Sequence, residues 1–530
     1  MAAITGALSA PRPRLRLHGL SYQWQALMVI IVGSFMTMLD QTVVNVALPR
    51  IITVFQATIN TTQLVLTGYM LALAIIMPAT GYLSDTFGTK RLYLISMFCF
   101  TVGSLLCGLA WNVPSLVAFR VLQGLGGGMM GPLGMTILFK VVPPSQRGTL
   151  MGIFGLPLMV APVLGPTVGG YVVEYIDWRV IFTMNIPVGM LGLVLGSTIL
   201  RETETRRGLR FDWPGFVLSG SGFAALLYGL TYAPTDGWGT PHIVLLLGGG
   251  ALLLVIWVVV ELTDSQPLLD LSIFKNSTYT LATAVSFVVT VGTFSSIFLL
   301  PLFLQNVRGL GALQSGLLTF PQSIGAALMM PISGRLFDRI GPRPLMVSGL
   351  VVLAFATWRL AILDLNTSNS YLIITLVVRG MGMGLCMMPT MTAAMNTLSG
   401  PMVARGSSLT NVLRQIFSAF GTAIFATLLS SRETYHQAML SQMVTPDAPP
   451  VRGMLAAAQQ MVLHRGGTPM QAQIDAIMLL ARQVSTTAAV TSFDDCFLVG
   501  AVMAVVAIPI ALCLKGTGIA RAGRPGPVAE

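Results

Sequence analysis

Gly81-Tyr82-Leu83-Ser84-Asp85-Thr86-Phe87-Gly88-Thr89-Lys90 returns 253 residues later as Gly334-Arg335-Leu336-Phe337-Asp338-Arg339-Ile340-Gly341-Pro342-Arg343. Each copy closes a long apolar run with a short basic turn. Two more echoes keep the same order. Arg120 and its following glycines reappear as Arg379 with Gly380, Gly382 and Gly384, and Arg147-Gly148 reappears as Arg405-Gly406. Three echoes in one order predict two related halves of six helices each.

The solvent of those helices follows from composition. Of 530 residues, 54% are hydrophobic and 9% charged, with a mean hydropathy of +0.78. Soluble domains carry roughly 25% charged residues, so this chain could not cover a water-facing surface and is read as an all-α membrane protein. Apolar runs long enough to span a bilayer fall near 24–46, 60–81, 92–111, 115–139, 149–173, 181–200, 215–233, 243–262, 280–304, 313–334, 345–363, 371–395, 406–430 and 493–515, fourteen in all. The pair at 215–233 and 243–262 falls between the halves as an inserted linker. The predicted organisation is a tail over 1–20, a six-helix bundle over 21–200, a linker with two helices over 201–270, a second bundle over 271–515 and a tail over 516–530. The segment 431–492 inside the second bundle is expected to be an external, partly helical loop, since Met454, Leu455, Ala458, Met461 and Val462 keep helical spacing.

The net charge of +11 does not imply nucleic acid, because the basic residues sit in short clusters between apolar runs. With the N-terminus inside, nineteen Lys and Arg fall on cytoplasmic segments and seven on external ones. That bias predicts both termini in the cytoplasm of a cell (inner or plasma) membrane. Cys99, Cys107, Cys386, Cys496 and Cys513 are scattered, and the four histidines lie in tails or loops, so no metal set is expected. No GxxxxGK[ST] loop is present and no nucleophile–base pair stands out, which argues against an enzyme and against direct ATP drive.

Charges inside apolar runs are the informative residues. Asp40 lies mid-run, where an ionised carboxylate costs roughly 2.5–3.5 kcal/mol on insertion scales. It must pair, be protonated or face water. Thr37, Gln41 and Asn45 share its helical arc and are candidate cavity residues. Arg120 shares a face with Gly124, Gly127, Gly128 and Gly131, which admit a close neighbouring helix. As a permanent cation it can lower the pKa of a nearby carboxyl and expel its proton, although a structural Arg bonded to carbonyls fits the sequence equally. Asp40 and Arg120 are therefore the proton-coupling candidates. Gln123, Arg379 and Arg414 complete the candidate cavity, with structural roles favoured for the last two. Gly81, Asp85, Gly88, Lys90, Arg91, Asp338 and Arg343 are read as a charge latch on one conformation. The run holding Pro157, Pro162, Gly165, Pro166, Gly169 and Gly170 is read as a hinge, or as a tight packing surface.

The residues quoted so far also carry a family resemblance. Leu39-Asp40-Gln41-Thr42-Val43-Val44-Asn45-Val46-Ala47-Leu48-Pro49 resembles the first-helix signature of the fourteen-helix drug:proton antiporters of the major facilitator superfamily, the branch of the EmrB and QacA exporters. Gly81, Leu83, Asp85, Gly88, Lys90 and Arg91 resemble the superfamily's loop motif. Arg120, Gln123, Gly124 and Gly128 resemble its fourth-helix motif, associated with proton transfer, and Gly152, Gly165, Pro166, Gly169 and Gly170 the fifth-helix antiporter motif. Asp177-Trp178-Arg179 with Asn185-Ile186-Pro187, and Arg414-Gln415 before Gly421, resemble later segments of this branch. Thr86, Thr89 and Ala161 depart from the pattern.

The resemblance covers about residues 24–515. It implies two pseudo-symmetric bundles that export amphipathic or cationic drugs against a proton gradient by alternating access, with no cofactor. The expected partners are small-molecule substrates, protons and the bilayer, and a periplasmic adaptor docking on 431–492 stays open at this point. A dedicated exporter of an endogenous metabolite, lipid or siderophore, and a non-transporting membrane sensor or scaffold, are the alternatives.

Overall fold

A computed structural model describes residues 20–514 apart from 204, 207, 265, 399, 401, 445–448, 465 and 467. The tails expected over 1–20 and 516–530 lie, Leu20 excepted, outside them. Among the described residues every regular element is a helix. The first half contains α1 (Tyr22–Phe55), α2 (Ile59–Ile76), α3 (Thr80–Phe87), α4 (Thr89–Gly108), α5 (Val113–Val141), α6 (Arg147–Tyr175), α7 (Val180–Thr183) and α8 (Asn185–Ile199). A hairpin of α9 (Trp213–Asp236) and α10 (Pro241–Thr263) follows. The second half contains α11 (Ser277–Leu302), α12 (Ala312–Ile340), α13 (Pro342–Leu360), α14 (Asn369–Asn396), α15 (Met402–Met443), α16 (Pro449–His464) and α17 (Pro469–Leu512).

Local chemistry sets these boundaries. The Asn112 carboxamide accepts from Ser115 N–H and starts α5, and the Asp212 carboxylate does the same for α9 through Gly215 N–H. Both copies of the repeated turn reverse at glycine: Gly88 at φ +90° separates α3 from α4, and Gly341 at φ +82° separates α12 from α13. These values exclude most side chains, so the sequence echo is also a backbone echo.

Among the described residues, twelve helices are long and apolar enough to cross a membrane. The runs expected at 115–139 and 313–334 fall on α5 and α12, which are as long, 29 residues each, but diluted by glycine, Arg120, Gln322 and basic ends. The linker hairpin packs α9 on α2 and α15. α10 stays outermost, with Leu245, Leu252, Val255 and Leu262 exposed, as suits a lipid-facing helix.

The stretch 431–492 differs from the expected loop. α15 continues for 42 residues and α17 for 44, roughly 63 and 66 Å at 1.5 Å per residue. Each exceeds the roughly 30 Å hydrocarbon core, so both helices project past it, with α16 packed on α17. Polar side chains end the hydropathy signal here without ending the helix, because nothing in these stretches breaks a helix before Met443 or after Pro469.

Candidate functional site

The glycines of α5 draw its neighbours in. A methyl at Gly124 would meet Tyr69 O of α2 at 2.7 Å, and one at Gly126 would meet Phe100 N of α4 at 2.5 Å. With backbones this close, Arg120 and Gln123 reach α1. Arg120 Nη1 donates to Asp40 Oδ2 at 2.5 Å and to Gln123 Oε1 at 2.7 Å, and Arg120 Nε donates to Val65 O at 3.3 Å. Gln123 Nε2 donates to Asp40 Oδ1 at 3.0 Å, and Asn185 Nδ2, at the start of α8, donates to the same oxygen at 3.1 Å. Tyr69 lies under the guanidinium, 4.0 Å from Cζ to the ring centroid. Asp40, Arg120 and Gln123 are each 0% exposed and Asn185 2%.

An acceptor-only carboxylate is what three converging N–H donors require. A buried pair of this kind costs roughly 3–5 kcal/mol to break by removing one partner.

The other cavity candidates are dispersed. Thr37 is 5% exposed and donates its hydroxyl to Ser34 O. Gln41 is half-buried and Asn45 exposed, one turn apart on α1. Arg379 stays within its own half, donating to Gly292 O at 2.8 Å, Gln322 Oε1 at 2.9 Å and Thr357 Oγ1 at 3.1 Å. Arg414 is half-buried and donates to Asn411 Oδ1 at 3.1 Å. The echo of Arg120 and Arg379 is thus preserved in position and broken in chemistry: one cation has an acid, the other neutral oxygens.

The two halves meet at the end that carries both repeated turns. Asp338 accepts from Gly148 N at 2.8 Å, Thr149 N at 2.9 Å and Thr149 Oγ1 at 2.7 Å, so an acid of the second half caps α6 of the first. Arg147 Nη1 donates to Asn396 Oδ1 at 3.0 Å and Ser407 Oγ to Pro132 O at 2.8 Å. A methyl at Gly334 would strike Gly148 O, and one at Gly81 would meet the Arg405 backbone at 3.1 Å. Asp85 lies near Lys140, Arg405 and Arg206, and burial raises its pKa against their pull. Lys90 and Arg91 turn elsewhere: their N–H groups donate to Glu202 at 3.0 and 3.1 Å, and Lys90 Nζ donates to Ser197 O at 2.6 Å. Arg343 stands exposed. The seven latch candidates therefore form two contacts and a side branch instead of one cluster.

α6 runs unbroken through Pro157, Pro162 and Pro166. Gly148, Gly152 and Gly155 face α12, whereas Gly165 and Gly169 face Thr42 and Val43 of α1, and a methyl at Gly170 would meet nothing within 4 Å. The packing-surface reading is the one visible. One helix touches the opposite half at one end and the Asp40 helix at the other.

The profile described as Major Facilitator Superfamily matches residues 30–422. The chain belongs to that superfamily. Among curated relatives, it is 39% identical to the "Uncharacterized MFS-type transporter YhcA" of Bacillus subtilis over 415 residues, 78% of each chain. It is 37% identical to the "Multidrug resistance protein B homolog" of Mycobacterium tuberculosis over 407 residues, 76% of this chain and 75% of that one. Among solved structures, the major facilitator proton:xylose symporter XylE superposes with a TM-score of 0.59 at 14% identity, covering 94% of this chain and 96% of that one. The likeness to XylE shows the fold alone. As a member of the superfamily, the protein is a multi-pass membrane transporter of small molecules and not an enzyme.

Two members of this transporter's buried site were not singled out in the sequence. Asn185 also donates to Ser104 Oγ at 3.0 Å, which fixes its carboxamide toward Asp40. Its signal was its place in the Asn185-Ile186-Pro187 segment, where an amide follows directly on an apolar turn. Tyr69 had no signal beyond being a phenol inside an apolar run. Glu261, 3% exposed, is a second acid overlooked: Trp257 Nε1 and Leu269 N–H donate to its Oε1 at 3.0 and 3.2 Å. It stood in plain view at the end of the 243–262 run.

Proposed function

We propose that this transporter exports amphipathic drugs from the cell across the plasma membrane, driven by inward proton movement through Asp40, as a fourteen-span member of the drug:proton antiporter branch. The observation that carries the reading is the buried Asp40 carboxylate held by Arg120, Gln123 and Asn185 from two other helices. Such a group has two incompatible states. Ionised, it satisfies three donors. Protonated, it releases Arg120 and loosens the grip of α5 and α8 on α1. Both states are needed for a proton to be exchanged for cargo.

The basic turns mark the cytoplasmic face, so the contacts described here close the cytoplasmic side. Drug enters when the Asp338 cap and the Gly148–Gly334 approach open, and α6 carries that opening to α1 through Gly165 and Gly169. The names of the relatives, which include a multidrug resistance protein homolog and a "Lincomycin resistance protein LmrB" of Listeria innocua at 32% identity, fit this cargo class. The energy source is the proton gradient, with no cofactor.

The test is efflux of a charge-varied panel of fluorescent amphiphiles from proteoliposomes under an imposed pH gradient, comparing wild type with Asp40→Asn. Gradient-dependent efflux of at least one dye, abolished in the variant, is the expected result. Gradient-dependent efflux of equal rate in both proteins overturns the assignment of Asp40.

A further inference from the structure

Glu261 is a buried acid that the transport reading leaves unused. It closes α10 and is 3% exposed. Trp257 Nε1 and Leu269 N–H take up its Oε1 at 3.0 and 3.2 Å, while Oε2 is buried with no hydrogen-bond partner among the described residues. Asp212, 5% exposed, repeats the pattern at the start of α9. Its Oδ1 accepts from Gly215 N–H at 2.8 Å, and its Oδ2 is buried and equally without a partner there. The two acids stand at the same end of the linker hairpin, near enough for Asp212 to act on the charge of Glu261. The connection into α9 lies on α3: Arg206 N–H donates to Asp85 O at 2.8 Å, and Tyr82 Oη donates to Leu209 O at 3.3 Å. This end of the hairpin is therefore the cytoplasmic one.

Two buried carboxyl groups each lack one donor, and leaving such oxygens unmatched is costly, more so when both groups are charged. The other charged groups do little to relieve them. Arg405 of α15 is the cation that acts on Glu261. Arg210, Asp264 and Lys275 are exposed, Asp270 accepts from Ser272 N–H, and α2, which packs on α9, carries no charge. A metal ion does not fit, because among the described residues no third acid, His or Cys joins the pair. The missing donor is a proton. The helix dipoles decide where it sits: Asp212 is at the positive end of α9, which favours its charge, and Glu261 is at the negative end of α10, which does not.

We propose that Glu261, with an ionised Asp212 beside it, is a second proton-binding site, reached from the cytoplasm and separate from Asp40, and that its occupancy governs the cytoplasmic contact between the halves. Arg405 carries the link. It acts on Asp85 as well as on Glu261, and its backbone lies where a methyl on Gly81 would meet it at 3.1 Å. With Glu261 neutral, the guanidinium is left to Asp85 and the contact holds. When the Oε2–H bond breaks and the proton passes to cytoplasmic water, Glu261 competes for Arg405 and the hold on Asp85 weakens. Cytoplasmic acid thus favours the closed arrangement.

The experiment is infrared difference spectroscopy of the full-length protein in detergent, following the carbonyl stretch of protonated carboxyl groups as pH is raised from neutral. Wild type is expected to show a band at neutral pH that vanishes at alkaline pH. Asp40→Asn is expected to keep it and Glu261→Gln to lose it. Asp212→Asn keeps an acceptor for Gly215 N–H and offers Glu261 a donor, so it is expected to move the loss of the band to lower pH. Thermal melts give a second readout. Glu261→Gln needs no proton to fold, whereas wild type must take one up that its unfolded chain does not hold above the ordinary carboxylate range. Wild type is therefore expected to lose stability relative to Glu261→Gln as pH rises through neutral. A Glu261→Gln spectrum identical to that of wild type, or a stability difference that does not change with pH, overturns the proposal. So does a band abolished by Na⁺ or Mg²⁺ at constant pH, which would give the site to a metal cation. The band is read without a gradient and in Asp40→Asn, so failure of proton-driven export would leave this site standing.

Discussion

Replacing Asp338 with Ala should open the end of the molecule that carries both basic turns. The carboxylate accepts three hydrogen bonds from the first turn of α6, two of them from backbone N–H groups that no helical carbonyl can satisfy. It is an N-terminal cap delivered across the boundary between the halves, and it also meets the positive end of the α6 dipole. Loss of a cap costs about 1–2 kcal/mol, and here the loss falls only on the closed arrangement. The closed-to-open ratio should therefore drop by roughly 5- to 30-fold. Spin labels at the exposed positions Ser145 and Arg343, in a variant lacking the exposed Cys513 thiol, report the separation of the halves by electron-electron resonance. Wild type should show mainly the short distance. Asp338→Ala should show a long one as a major population, and Asp338→Asn, which keeps one acceptor oxygen, should fall between. A distance distribution unchanged in Asp338→Ala, with helicity intact, would refute the reasoning.

Removing Arg120 strands a buried carboxylate, so Arg120→Gln should lower stability by about 3–5 kcal/mol, whereas the double variant Arg120→Gln, Asp40→Asn should recover much of it in thermal melts monitored by tryptophan fluorescence. Arg379→Ala leaves Gln322 Oε1 and Thr357 Oγ1 without this donor; at about 1–3 kcal/mol per unmatched group, its melting temperature should fall more than that of Arg414→Ala. Burial raises the pKa of Asp85, so its ionisation in the fold is a cost that is absent below the ordinary carboxylate pKa and grows as pH rises through the raised value. Asp85→Asn should therefore gain stability relative to wild type between pH 4 and pH 7, and a difference that shrinks over that window would contradict the sign. Gly165→Val would press on Thr42 and should abolish gradient-driven efflux while leaving ligand binding in detergent within a few-fold of wild type.

The membrane-embedded framework was legible because lipid imposes a sharp rule: backbone groups must bond internally, so each long apolar run has to be helical; the expected runs fall on helices, those at 60–81 and 181–200 on two each, and twelve of the described helices are long and apolar enough to span. Asp40 and Arg120 were legible for the same reason, since neither charge survives alone in an apolar run. Asn185 was not, because a carboxamide near a helix start has many uses and only the fold brings it to an acid 145 residues away. The stretch 431–492 was read as a partly helical loop, and the continuous extension of α15 and α17 through it was not seen because hydropathy detects lipid contact, not helicity, and polar residues there cost the helix nothing. The latch was read as one cluster from neighbours in sequence. The reversal at Gly88 sends Lys90 and Arg91 to Glu202, away from Asp85. The broken symmetry of Arg120 and Arg379 was partly legible, since a structural role was favoured for Arg379; which neutral oxygens hold it was not.

The pairing of Asp40 with Arg120 also bears on how the chain is made. The partners are 80 residues apart, and at about 5–20 residues per second the ribosome needs about 4–16 s to deliver the second after the first. Throughout that interval α1 carries a bare acid, at roughly 2.5–3.5 kcal/mol against entering lipid. That cost offsets part of the favourable insertion of the apolar side chains of α1, so a nascent chain truncated ahead of Arg120 should hold α1 in the bilayer less firmly against alkali extraction than one that includes it.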